Sequence, residues 1–167
     1  ALSGPGFVYV IKNNGTVMNG WPKQVPNWIY GPPAVGYINN DNVIDIAVGD
    51  QVLSGSPSDQ ISAWDKNGNS LPGFPVTSLW AINNQITIGD IDNDNKMELI
   101  IDDNTSTGGR GKYLAFNHDG TPLAGWDVTV DGTTMFSTPM IGDLNRDGLL
   151  DISGSGGVFS NPAYTYV

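Results

Sequence analysis

Residues 89–103 read GDIDNDNKMELIIDD, an acidic loop running straight into an apolar stretch. The same order recurs on both sides, as GYINNDNVIDIAVGD at 36–50 and GDLNRDGLLDISGSG at 142–156. Gly36, Gly89 and Gly142 stand 53 residues apart each time. A second block repeats out of phase with the first: VYVIKNNGTVMNGWP (8–22), ISAWDKNGNSLPGFP (61–75) and YLAFNHDGTPLAGWD (113–127). Its Gly20, Gly73 and Gly125 are spaced 53 and 52 residues apart. Two blocks recurring in lockstep define a structural repeat, and periods of about 20–50 residues belong to solenoids, propellers and arrays.

Each unit reads as four strands. Val, Ile, Tyr, Phe and Trp dominate the apolar runs, which favours strands, and no window keeps a helical period. Strand one is the run into the acidic loop, as in Gln85–Gly89, and strand two leaves it, as in Glu98–Ile101. Strand three is the Ile61–Trp64 type. A turn carrying Asn14-Gly15, Asn67-Gly68 or Asp119-Gly120 closes a hairpin, and strand four follows near Gly-Trp or Gly-Phe. Four-stranded units of about 40–50 residues are β-propeller blades; solenoid units are shorter, and a sandwich does not repeat its sequence in this way.

The expected fold is therefore all-β, with blades of four antiparallel strands. The 167 residues form one repeat domain: a half blade at 7–22, blades at 31–80 and 84–131, and a partial blade at 137–167. Closed propellers take about 4–8 blades, and about three are present. The ring or filament is thus expected to be completed by self-association or by blades of a longer chain. Ala1 in place of Met points to a processed product or a piece of something longer.

The acidic loops carry the chemistry. Loop two, Asp90 to Glu98, and loop three, Asp143 to Asp151, both follow D-x-[DN]-x-D-[GN]-x-x-[DE]. Hard cations take oxygen ligands, and Ca²⁺ accepts about 6–8 of them. Positions one, three and five supply side-chain oxygens: Asp90, Asp92 and Asp94, then Asp143, Asn145 and Asp147. Position six, Asn95 or Gly148, tolerates a left-handed turn. Position seven, Lys96 or Leu149, offers a carbonyl, and position nine, Glu98 or Asp151, a closing carboxylate. An EF-hand fits poorly, because position twelve is Ile101 or Gly154 and the flanks are strand-like. Loop one has Tyr37 at position one and keeps Asn39, Asp41 and Asp45, so it is expected to bind weakly or not at all. The competing reading is a set of Asx-rich turns without metal; two full matches one repeat apart favour the metal. No base, nucleophile or open metal position is evident nearby, so the cation is read as holding a turn together.

Composition narrows the partners. Apolar residues make up 39% of the chain, too many for a disordered segment. The net charge of −10 repels phosphate backbones and anionic membrane surfaces, so neither nucleic acid nor membrane insertion is expected. There is no apolar run of membrane-spanning length and no cysteine. His118, the sole histidine, sits beside Asp119-Gly120 in a turn and reads as a solvated turn residue. Gly108, Gly109 and Gly111 around Arg110 read as a polar loop. With no acid/base or nucleophile set, the chain is not expected to be an enzyme.

Trp21, Phe74 and Trp126 share one repeat position and read as packing between neighbouring sheets. Trp28 and Trp80 lie in the four-to-one connections, where rim packing competes with a stacking platform for a sugar. Antiparallel order puts the two–three loops, Gly49–Gln60, Asp102–Lys112 and Gly154–Ala163, on the face opposite the acidic loops. Loops on a rigid scaffold are where binding usually lives. Asn14-Gly15-Thr16 and Asn104-Thr105-Ser106 match the N-glycosylation pattern, which is short enough to arise by chance.

Acidic loops inside 53-residue β units resemble the FG-GAP (VCBS-type) repeats of integrin α-subunit-like propellers, and the Gly15–Pro22 hairpin looks like bacterial secreted members of that group. The resemblance covers nearly the whole chain. It implies a six- to eight-bladed propeller outside the cytoplasm, secreted or at the cell surface, with Ca²⁺ in the one–two loops. It further implies adhesion or binding of a carbohydrate or protein ligand. The alternatives are a structural subunit of an extracellular assembly and an accessory propeller of a larger polysaccharide-active enzyme.

Overall fold

A computed structural model describes residues 4–52, 57–104, 111–158 and 161–166. Among these residues the chain is all-β, without a helix, in antiparallel sheets of two to four strands. Strands β1 (Gly6–Val8) and β2 (Lys23–Val25) form a two-stranded sheet. Strands β3 (Ala34–Gly36), β4 (Asp45–Gly49), β5 (Asp59–Asp65) and β6 (Val76–Leu79) form a four-stranded meander. It is followed by a second, β7 (Thr87–Gly89), β8 (Glu98–Asn104), β9 (Gly111–Phe116) and β10 (Pro122–Thr129). The last sheet holds β11 (Met140–Gly142), β12 (Asp151–Val158) and β13 (Asn161–Tyr166). Strand β2 begins at Lys23, just beyond the 7–22 segment read from the sequence.

The turns follow the repeat. Lys12, Asp65 and Asn117 each donate their backbone N–H to the carbonyl four residues on, at Thr16, Asn69 and Thr121. Gly15, Gly68 and Gly120 take φ of 83°, 81° and 78° in these turns, a region that residues with a Cβ enter at a cost. Central strands β4 and β8 are buried along their whole length, because sheets or loops cover both faces. That explains the unbroken apolar runs at 46–48 and 99–101.

The sheets pack on one another by the same contact used twice. Ile88 on β7 sits over Gly36 on β3, and Ile141 on β11 sits over Gly89 on β7. The second block behaves alike: Gly20 abuts the carbonyl of Asn67, and Gly73 that of Asp119. Trp21 meets Trp64 edge-on at 5.8 Å and donates its indole N–H to the Lys66 carbonyl at 3.0 Å. One repeat later Phe74 and Phe116 share the main core with Leu71, Leu99 and Ile101. Each such aliphatic side chain, fully buried, is worth about 1.5–3 kcal/mol, so the inter-sheet seams hold the molecule together. Trp126, at the third such position, is only half-buried.

Candidate metal centre

All three acidic loops join strand one to strand two of their sheet, and all three fold alike. In each, position nine accepts the backbone N–H of position two: Asp45 from Ile38 at 3.0 Å, Glu98 from Ile91 at 2.8 Å, and Asp151 from Leu144 at 2.8 Å. Position five donates its N–H to position three at 3.2, 3.1 and 2.9 Å. Position seven donates to position five at 2.7, 2.8 and 2.9 Å. Positions four and six are left-handed throughout: Asn40 and Asn42, Asn93 and Asn95, Arg146 and Gly148. The position-six turn follows the reading of Asn and Gly there. The position-four turn was not foreseen, although Asn40 and Asn93 are residues that enter this region readily.

Position one separates the loops. Asp90 accepts the N–H groups of Asp94 at 3.1 Å and Asn95 at 3.0 Å, and Asp143 accepts those of Asp147 at 3.1 Å and Gly148 at 3.0 Å. In loop one Tyr37 has no carboxylate to offer, and its backbone carbonyl accepts from Asn40 instead. Asn40 also donates its side-chain amide to the Asn95 carbonyl at 2.9 Å, which braces loop one against loop two.

The donor set of loop two fits a cation. One oxygen from each of Asp90, Asp92 and Glu98 lies within 4.8 Å of the others. Oxygens bound to one Ca²⁺ at about 2.3–2.6 Å stand up to about 5 Å apart, so the three lie within reach of a single ion. Glu98 is 1% exposed, and its Oε1 is buried without a hydrogen-bond partner. A buried carboxylate oxygen left unpaired costs free energy unless a cation or donor meets it. Burial, and after it the facing carboxylates of Asp92, Asp94 and Asp90, raises the Glu98 pKa, against the Ile91 N–H that lowers it. A bound cation removes that repulsion. Asp45 in loop one is likewise buried with an unpartnered Oδ1, and burial is the main cause of its raised pKa. There Asn39 and Asp41 complete a set poorer by the missing position one. In loop three, Asn145 replaces one carboxylate, its amide lying 3.1 Å from Asp147 Oδ2, while Asp151 is half-buried. Of Lys96 and Leu149 the structure fixes the backbone N–H groups, donated to Asp94 and Asp147.

The opposite end of the sheets carries a second acidic population that the sequence reading missed. Asp50, Asp59, Asp102 and Asp103 are all buried. Asp59 accepts from Val52 N–H at 2.7 Å and from the Asn27 amide at 3.0 Å. Burial pushes its pKa to about 7, with Asp50 and Asp103 adding repulsion. Trp28 is 39% exposed and exchanges backbone hydrogen bonds with Gln51; Trp80 is half-buried. The exposed ring pair at this end is instead Tyr30 and Phe136, 6.3 Å apart. Residues 53–56, 105–110 and 159–160, the centres of the three two–three loops, lie outside the described residues, as do Gly108, Gly109, Arg110 and the Thr105-Ser106 part of one glycosylation pattern. His118 is half-buried in its turn.

No protein-family model matches the chain, and comparison with characterised proteins finds no match.

Proposed function

We propose that this chain is a calcium-stabilised run of β-propeller blades, of the FG-GAP/VCBS kind, serving as a non-catalytic binding module outside the cytoplasm. The observation that carries the reading is the loop-two triad Asp90, Asp92 and Glu98, set in a hydrogen-bond frame that loop three reproduces one repeat away. Chance acidic turns have no reason to share donor, acceptor and handedness at every position. Two four-stranded meanders stacked through equivalent glycines support the blade reading. In this reading Ca²⁺ is held by Asp90, Asp92, Asp94, Lys96 (carbonyl) and Glu98. A second ion is held by Asp143, Asn145, Asp147, Leu149 (carbonyl) and Asp151. The ion pins strand one to strand two, and a carbohydrate or protein ligand meets the far face near Trp28 and Tyr30.

Binding of Ca²⁺ to the metal-free chain, followed by calorimetry, tests the metal half. The expected result is about two sites per chain, one of them lost in Asp94→Ala and both retained in Asp41→Ala. A glycan and protein array probed with wild type and with Trp28→Ala tests the other half. Binding that survives Trp28→Ala unchanged removes the far face from the reading.

A further inference from the structure

The hairpin turn at Asn14 carries an acceptor motif that the calcium and ligand readings leave unused. Its base is closed by backbone hydrogen bonds: Lys12 N–H to the Thr16 carbonyl at 2.8 Å, and Met18 N–H to the Val10 carbonyl at 2.8 Å. Asn13, Asn14, Gly15 and Thr16 are all exposed. Asn14 Oδ1 accepts the Thr16 backbone N–H at 3.1 Å and the Thr16 hydroxyl at 2.7 Å. This Asx turn engages the carbonyl oxygen of the side-chain amide and leaves Nδ2 without a hydrogen bond among the described residues. Asn-x-Thr is the acceptor pattern for N-linked glycans, which need a surface loop.

The exposure does not come from where the chain begins. Asn67 and Asp119 hold the same place in the next two turns, each beside a preceding sheet. A Cβ on Gly68 would meet the Gly20 carbonyl, and one on Gly120 the Gly73 carbonyl. Both side chains are exposed all the same. Asp119 Oδ1 accepts the N–H and hydroxyl of Thr121 at 3.0 and 2.6 Å, the Asn14 frame with a carboxylate in place of the amide. In the second turn Asn69 stands where the hydroxyl would be.

The other match to the pattern, Asn104, is 2% exposed. Its Nδ2 donates to Asp102 Oδ2 at 2.7 Å, its Oδ1 accepts from the Thr133 hydroxyl at 2.7 Å and the Thr134 N–H at 2.8 Å, and its backbone pairs with Ala81. A sugar on that nitrogen has no space in this fold.

We propose that Asn14 is N-glycosylated and that Asn104 is not. In the transfer, Asn14 Nδ2 attacks the anomeric carbon of a glycan carried on a lipid pyrophosphate. The nitrogen–carbon bond forms, the bond from that carbon to the phosphate oxygen breaks, the lipid pyrophosphate leaves, and Nδ2 gives up one proton to a base of the transferase. The two hydrogen bonds into Oδ1 draw charge from the amide and ease that loss. The proposal rests on the reading that the chain lies outside the cytoplasm, where such transfer takes place. In these antiparallel sheets the hairpin turns share an end with the acidic loops, so the glycan leaves the end near Trp28 and Tyr30 clear.

The full 167-residue chain, secreted from a host that makes N-linked glycans, tests this by intact mass before and after peptide-N-glycosidase. The expected result is a single glycan, with the glycosidase leaving an aspartate in place of Asn14. It is lost in Asn14→Gln and in Thr16→Ala. It is kept in Ser106→Ala, which breaks the second pattern without touching Asn104. A secreted chain bare at Asn14 overturns the proposal, as does a glycan at Asn104. Melts of the same material in Ca²⁺ and EDTA keep the two claims apart: a bare chain that Ca²⁺ stabilises sinks the glycan and leaves the proposed function standing.

Discussion

Glu98 combines the features that separate a metal ligand from an ordinary strand residue. One oxygen is bound to the Ile91 N–H, the other is buried without a partner, and three further acids face it. In the metal-free chain that arrangement costs stability; around a cation it contributes. Glu98→Gln keeps the acceptor for Ile91 and removes the charge. The expected outcome is a variant at least as stable as wild type in EDTA and less stable in Ca²⁺, with affinity at loop two down at least about tenfold, or about 1.4 kcal/mol. Parallel melts of both proteins in both conditions check it. If Glu98→Gln is equally destabilised in both, Glu98 is a structural acceptor and no more.

At the scale of the elements, glycine notches decide how sheets stack. Gly89 and Gly142 occupy the same repeat position, but only Gly89 is covered by Ile141. Gly89→Val should cost about 1–3 kcal/mol from overpacking, whereas Gly142→Val should stay within about 0.5 kcal/mol for the single chain. Urea melts of the two variants make the comparison. The strands themselves were legible because the acidic loop and the Asn-Gly or Asp-Gly turn bracket each hairpin. The left-handed position six could be read from Asn95 and Gly148. The position-four turn was obscured by Arg146, whose side chain gives no local signal for positive φ. The glycine notches were visible only as a spacing, since what fills them comes from 52 residues away in sequence. Tyr30 and Phe136 were missed for a similar reason: they are separated by two sheets' worth of chain and meet only once those sheets stack.

Across the whole molecule the buried acids gather at two ends, and burial raises the carboxyls at both, Asp45 and Glu98 among the loops and Asp50, Asp59, Asp102 and Asp103 at the far end. At the end away from the loops, burial raises Asp59 and Asp102 to about 7 and Asp103 to about 6. A carboxyl raised on folding binds its proton more tightly in the folded state. The stability it contributes is full below the unfolded pKa near 3.8 and is lost as pH rises through the folded value. In EDTA the chain should therefore lose stability between about pH 4 and pH 7, and Asp59→Asn should flatten that slope by about 1–2 kcal/mol. Denaturant midpoints over that pH range test the sign, and a slope unchanged in Asp59→Asn excludes Asp59 as its source. On the proposed reading, calcium acts at the loop end, by mass action on the folded state alone. The melting temperature in saturating Ca²⁺ against EDTA at neutral pH is the most direct measurement of the account. A cation held at 100 times its dissociation constant adds about 2.7 kcal/mol per site, which is about 5–10 °C for a chain of this length. The account predicts a rise of at least that size in wild type, reduced by Asp94→Ala and unaffected by Asp41→Ala; a melting temperature identical in Ca²⁺ and EDTA contradicts it.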